Sequence, residues 1–172
     1  MAVHHHRHHR AAAPQEVGCA VVSVSDTRSE ADDLSGAAIR TLLGEAGHPV
    51  RSYAIVPDES VAIREALSCA LERADTLAVI VNGGTGIAPR DVTIESIANL
   101  WTKELPGFGE LFRALSYAEI GPPAFLSRAT AGVVRGKFVA VLPGSPSACR
   151  LAMERLILPE LAHVAALLVG AP

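Results

Sequence analysis

Three short, β-branched apolar runs alternate with two stretches of helical periodicity in the first half of the chain, and this alternation narrows the fold more than any other feature. The runs are residues 18–25, Val50–Val56 and residues 76–81, each short enough to be a buried strand. Between the first two, Leu34, Ala37, Ala38, Leu42 and Ala46 recur at helical spacing until Gly47 stops the pattern. Between the second and third, a turn at Pro57-Asp58-Glu59 leads into a predicted helix over residues 61–73. Strand–helix alternation of this kind implies right-handed crossovers and a mainly parallel sheet. The expected class is α/β, with ligands collecting where the strands end at their carboxyl side. Ser25-Asp26, Pro57-Asp58 and residues 82–91 all fall at that edge.

The second half is less regular. A helix is expected over residues 93–101, then a break at Pro106-Gly107, then a helix through Phe112 and Leu115 to about Ala118, ended by Gly121-Pro122-Pro123. Residues 129–134 and 138–142 bracket Arg135-Gly136-Lys137 and read as two strands joined by a turn. From Ser147 onward, Ala148, Leu151, Ala152, Leu156 and Leu161 mark a terminal amphipathic helix, with Pro159 as its kink or break. At 172 residues and 49% hydrophobic, the chain has the size and apolar content of one domain with its own core. No internal repeat or second domain is evident.

Composition limits the partners. A net charge of -3 with dispersed arginines gives no electrostatic footprint for nucleic acid, and aromatics are only 4% of residues, too few for a base-stacking platform. No segment supplies the roughly 20 apolar residues of a membrane span, and no signal peptide is visible. Cys19, Cys69 and Cys149 are odd in number and widely spaced, which suits a reducing cytoplasm better than a disulfide framework or a zinc site. His4, His5, His6, His8 and His9 form a metal-attracting tract in a leader, residues 1–16, that is expected to be disordered and to lie outside the fold of residues 17–172.

Candidate chemistry centres on Asn82-Gly83-Gly84-Thr85-Gly86. Glycines after a buried strand allow close backbone approach, and their amides with the Thr85 hydroxyl can cradle phosphate oxygens. The loop is neither a Walker motif, lacking the Lys-Ser/Thr pair, nor a dinucleotide fingerprint, because Ala88-Pro89 displaces the third glycine. The continuation Pro89-Arg90-Asp91-Val92-Thr93 places a cation and a carboxylate beside it. Arg90 can pair with phosphate and Asp91 can hold magnesium, while the bland reading makes Asp91 or Thr93 a helix cap and Arg90 a surface charge. Asp58 could share a metal or ligand with Asp91 across the sheet edge, or merely cap the next helix. Ser25, Asp26 and Thr27 are either ligand contacts or ordinary turn residues. Pro143-Gly144-Ser145-Pro146 offers a further turn opening the last helix. A serine-hydrolase elbow is absent.

Taken together, Val24-Ser25-Asp26, Pro57-Asp58-Glu59, Gly83-Gly84-Thr85-Gly86, Pro89-Arg90-Asp91-Val92-Thr93, Pro106-Gly107-Phe108-Gly109 and Leu142-Pro143-Gly144-Ser145-Pro146 resemble the MoaB/Mog molybdopterin-binding family. The resemblance runs from Gly18 to Gly170, and the stretches from Phe108 to Arg113 and around Ser127-Arg128-Ala129 resemble its MoaB branch. It implies a three-layer α/β/α sandwich, assembled as a homotrimer or hexamer, acting in molybdenum cofactor synthesis. The implied reaction is adenylylation of molybdopterin by magnesium-bound ATP with release of pyrophosphate. The family's essential aspartates fall on Asp58 and Asp91, which would also hold Mg2+. Its glycine loop falls on Gly83, Gly84, Thr85 and Gly86, and a pterin-side serine on Ser116. Asp26 is expected within the pocket, and Pro143, Gly144 and Ser145 at its rim. Other enzymes of the same pathway are implied as partners. Two other roles stay open: a carrier that binds molybdopterin or the finished cofactor without turnover, and a trimerising scaffold.

Overall fold

The computed structural model describes residues 16–170. Of the leader, only Glu16 falls among them, paired with Arg51 at 2.7 Å, and the histidine tract lies outside the described residues.

β1 (Cys19–Val24), α1 (Leu34–Glu45), β2 (Val50–Val56), α2 (Ser60–Glu72) and β3 (Ala78–Asn82) follow the alternation of the sequence. A short α3 (Thr93–Ile97) is closed by a 3-10 turn, Ala98–Leu100, so the helix expected over residues 93–101 is tighter in its second half. α4 (Pro106–Ile120) begins on Pro106, which occupies the first turn, where its missing N–H costs nothing. Its break at Gly121 is as expected, and a 3-10 segment, Pro122–Leu126, follows.

β5 (Thr130–Val134) and β6 (Lys137–Leu142) form a hairpin whose two-residue loop, Arg135-Gly136, has φ of 49° and 75°. Positive φ at both positions is what a tight hairpin turn needs to match strand twist. The two-residue β4 (Lys103–Glu104) pairs with β5 and was not anticipated, since two exposed charged residues carry no strand signal. The carboxyl-terminal helix is interrupted. α5 (Pro146–Ala152) runs into a π-turn, Met153–Ile157, and then α6 (Leu158–Val169), so the break expected at Pro159 sits just upstream of it.

The sheet has six strands in the order β2-β1-β3-β6-β5-β4. β2, β1, β3 and β6 are mutually parallel, and β5 and β4 extend the sheet by antiparallel pairing. Each central strand is buried on both faces, and side-chain alternation divides the core into two layers. Cys19, Val21, Ala78, Ile80, Phe138, Ala140 and Leu142 face α1, α4, α5 and α6. Ala20, Val22, Val79, Val81, Val139 and Val141 face α2 and α3. This is the three-layer, mainly parallel sandwich expected. The four parallel strands all end on one edge, and that edge carries a cleft. No helix of the described residues is long and apolar enough to cross a membrane.

Candidate functional site

The loops leaving β1, β2, β3 and β6 converge on a cleft of about 530 Å³. Ser25, Asp58, Gly83, Gly84, Thr85, Gly86, Asp91, Pro143, Gly144 and Ser145 all line it. Two smaller hollows, about 290 Å³ beside Arg64 and about 400 Å³ beside Phe108, do not touch the ends of the four parallel strands.

The glycine loop is shaped by contacts that only glycine permits. Gly83 and Gly84 have φ of 97° and 59°. A Cβ on Gly83 would strike the Val24 carbonyl, and one on Gly84 would strike the Asp58 and Thr93 side chains. The loop is tied down from α3, where the Thr93 amide donates to the Gly84 carbonyl at 3.0 Å and the Thr93 hydroxyl to the Gly83 carbonyl at 2.9 Å. From the other side, Arg128 donates to the carbonyls of Thr85 and Gly86 at 2.9 and 2.6 Å and pairs with Glu95. With those carbonyls occupied from outside, the loop is held open beside the aspartates.

The bland readings of the two aspartates fail. Val92 and Glu59 occupy the caps of α3 and α2, neither with a side-chain capping bond, so neither Asp91 nor Asp58 caps a helix. Asp91 instead accepts the Ala88 amide at 2.9 Å, folding the Pro89-Arg90 turn around its carboxylate. Asp58 Oδ1 is buried without a hydrogen-bond partner among the described residues. Burial pushes the Asp58 carboxyl above the ordinary carboxylate range, the charges of Asp26 and Asp91 push the same way, and Arg90 pulls partly back. An orphaned carboxylate oxygen beside a second carboxylate is the donor chemistry that a hard cation satisfies. Among the described residues no three His, Cys, Asp or Glu side chains converge as a metal cluster. A magnesium ion held by Asp58 and Asp91 would therefore complete its shell with phosphate and water oxygens, as magnesium commonly does.

Asp26 and Arg90 are brought together but do not line the cleft. Arg90 donates to both Asp26 oxygens, at 2.7 Å from its Nη2, and Asp26 Oδ1 also accepts the Asp58 amide at 3.0 Å. These donors hold Asp26 below its ordinary value, with Arg90 the larger influence. Ser116 is buried on α4 and is not among the cleft residues. Ser145 lines the cleft and also caps α5, accepting the Ala148 amide at 3.3 Å.

Four cleft residues escaped the sequence reading of the site. Arg28 enters from the loop after β1, and Pro123, Leu126 and Ser127 come from the segment after α4. Ser127 Oγ has no partner among the described residues. Ser127 lies in the stretch that resembles the MoaB branch, but none of the four is marked as a site residue, because Pro, Leu, Ser and a loop Arg are ordinary connecting residues until the chain folds them beside the glycine loop.

Residues 20–163 match the family described as "probable molybdopterin binding domain". The chain is 53% identical over 157 residues to the molybdenum cofactor biosynthesis protein B of Bacillus subtilis, a match spanning 91% of this chain and 92% of the relative. A crystal structure of a molybdenum cofactor biosynthesis protein B superposes with a TM-score of 0.89 at 51% identity, covering 92% of this chain and 99% of that one. The tungsten cofactor synthesizing protein MoaB from Pyrococcus furiosus superposes with a TM-score of 0.81 at 41% identity, covering 88% of this chain and 96% of that one.

Proposed function

Because the chain belongs to the molybdopterin-binding family of molybdenum cofactor biosynthesis proteins, we infer that it binds molybdopterin in the strand-end cleft and adenylylates it. In this reaction an oxygen of the pterin's terminal phosphate attacks the α-phosphorus of ATP. The bond from the α-phosphorus to the bridging oxygen breaks, and pyrophosphate leaves with the electron pair. The nucleophile is already ionised, so alignment and charge neutralisation matter more than a strong base. The observation that carries the reading is the pairing of Asp58, with its unpartnered buried oxygen, and Asp91 at the mouth of the glycine loop.

Asp58 and Asp91 would hold Mg2+, which when bound supplies charge neutralisation to the phosphates. The amides of residues 84–86 and the Thr85 hydroxyl would cradle phosphate oxygens, while the Gly83 amide stays on the Leu142 carbonyl. Ser25 and the Pro143-Gly144-Ser145 rim would confine the ligand from the opposite wall. Arg90, engaged with Asp26, would tune the charge beside Asp58 and contact phosphate only by exchanging that partner. Ser116, buried on α4 and not among the lining residues, would act on the pterin side only through its neighbours.

One observation favours a second reading, a carrier that holds molybdopterin or the finished cofactor without turnover. Arg28 is the sole cation among the residues lining the cleft, a sparse complement for a triphosphate. The exposed Leu111, Tyr117 and Ile120 of α4, with Phe125 beyond it, would suit burial between subunits of a homotrimer or hexamer. Passage of the product to other enzymes of the pathway follows from this role, as does a place in the reducing cytoplasm, where free thiols persist.

The test is mass-spectrometric detection of adenylyl-molybdopterin after mixing the protein with molybdopterin, ATP and magnesium. Asp58→Asn and Asp91→Asn variants, verified as folded and of parental oligomeric state, are run beside it. Product from the parent with at least a hundredfold less from either variant supports the adenylyltransferase. An intact parent that binds molybdopterin and forms no product is a carrier.

A further inference from the structure

Directly behind the cleft lies a polar network built around Asp33, whose side chain is 0% exposed. Asp33 caps α1 by accepting the Gly36 amide on Oδ1 at 3.0 Å. A cap needs one oxygen and no burial, yet the other oxygen is fully engaged as well. Oδ2 accepts the hydroxyls of Ser23 on β1 and Tyr53 on β2, the latter at 2.7 Å. Ser23 Oγ in turn accepts from Asn82 Nδ2 at 2.8 Å, and Asn82 is the residue immediately before the glycine loop. On the opposite side, the Arg28 guanidinium lies 3.5 Å from Asp33 Oδ1. Both of its terminal nitrogens donate to the Gly144 carbonyl at 3.1 Å, and the Ser35 hydroxyl donates to the same carbonyl at 2.6 Å.

The two walls joined by this network are nearly in contact. A Cβ on Gly144 would lie 3.2 Å from Gly83 Cα, and the Gly83 amide donates to the Leu142 carbonyl at 3.1 Å. A small shift of either wall would therefore change the width of the cleft. Burying a carboxylate is costly unless its oxygens are satisfied, and here hydroxyl and amide donors satisfy both, with the Arg28 charge beside them.

We propose that Asp33, with Arg28, Ser35 and Tyr53, is a positioning strut that fixes the glycine loop and the Pro143-Gly144 rim at one separation, so that the cleft is formed before its phosphorylated ligand arrives. The proposal rests on the phosphate-binding reading of the cleft, but its primary test does not need turnover. Arg28 is the link to the rim, since only a planar fork can grip one carbonyl through two nitrogens while facing a carboxylate. Tyr53 is the informative member because it belongs to the network without lining the cleft.

Tyr53→Phe keeps the ring under the Arg40 guanidinium, 4.0 Å away, and removes only the donor to Asp33. Arg28→Lys keeps the charge and loses the fork, and Ser35→Ala removes the second donor to Gly144. Amide hydrogen exchange is measured by mass spectrometry on the full chain, together with affinity for the magnesium complex of a non-hydrolysable ATP analogue. All three variants are expected to exchange faster at residues 83–86 and 144–145, while residues 19–24 and 78–82 keep parental protection. Nucleotide affinity should fall roughly tenfold even in Tyr53→Phe, because apparent affinity scales with the fraction of preformed sites. Parental exchange at both loops in Tyr53→Phe or Ser35→Ala overturns the strut. Faster exchange spread equally through the strands also overturns it, leaving Asp33 with a purely structural role. Weaker binding in Arg28→Lys alone would make Arg28 a direct ligand contact instead. A parent that binds no nucleotide would count against the adenylylation reading, and the exchange data would still decide the strut.

Discussion

Residue by residue, the proposed magnesium ligation stands against stability at Asp58. Its carboxyl is raised by burial and by neighbouring negative charge, so ionisation at neutral pH opposes folding. A raised carboxyl binds its proton more tightly folded than unfolded, so this unfavourable contribution grows as pH rises past the ordinary carboxylate value. Asp58→Asn is therefore expected to raise the melting temperature at neutral pH by a few degrees, while abolishing product. Magnesium should raise the melting temperature of the parent and leave that variant unmoved, and differential scanning calorimetry with and without the ion checks both. Gly84 gives the opposite case. At φ 59° a side chain is strained, and the added Cβ would meet Asp58 and Thr93. Gly84→Ala should cost at least ~1 kcal/mol in a urea titration and narrow the cleft as well.

Element by element, the cleft depends on how the loops are tied rather than on the strands that launch them. Arg128 is the sharpest example. It joins the segment after α4 to the glycine loop through two carbonyl bonds and pairs with Glu95 on α3. Its substitution by Ala should destabilise the chain by about 1–2 kcal/mol, with faster amide exchange at residues 85–86 and strand protection unchanged. The element scale also separates what periodicity can show from what it cannot. β1, β2, β3 and the β5–β6 hairpin announce themselves through β-branched runs and a Gly-containing turn, whereas β4 is two charged residues that become a strand only because β5 presents an unpaired edge to them. The π-turn at Met153–Ile157 is equally invisible, since its apolar spacing is that of an ordinary helix.

For the whole molecule, acid sensitivity follows from the same electrostatics. Asp26, Asp33, Asp75 and Glu95 are all held below their ordinary values. Hydrogen bonds from Arg90, Arg73 and Arg128 dominate for Asp26, Asp75 and Glu95 respectively, while at Asp33 the donors overcome burial. His48 is also held low, by burial, and its Nδ1 accepts the Val17 amide at 3.2 Å. Carboxyls that bind protons less tightly when folded give stability that is present above about 3.8 for the aspartates and about 4.5 for Glu95 and lost as pH falls; a histidine of lowered pKa gives stability present above about 6.5 and lost below it. Thermal melts from pH 8 to pH 2.5 should show a decline beginning near 6.5 and steepening below about 4.5. His48→Gln should flatten the first part only.

The layered α/β architecture, the edge that carries the cleft, and the family resemblance of the glycine loop and the Pro-Arg-Asp-Val-Thr segment were all legible in the order of residues. Those follow from local chemistry: burial on two strand faces demands continuous apolar runs, and close backbone approach demands glycine. Three-dimensional packing set which polar residues act together. It freed Asp58 and Asp91 from helix capping, paired Arg90 with Asp26 outside the cleft, left Ser116 buried away from the lining, and brought Arg28 and Ser127 in. Partners such as Arg28 and Gly144 are 116 residues apart along the chain. A hydrogen bond between them exists only once β1 and β6 share a sheet, and no periodicity or short motif encodes that distance.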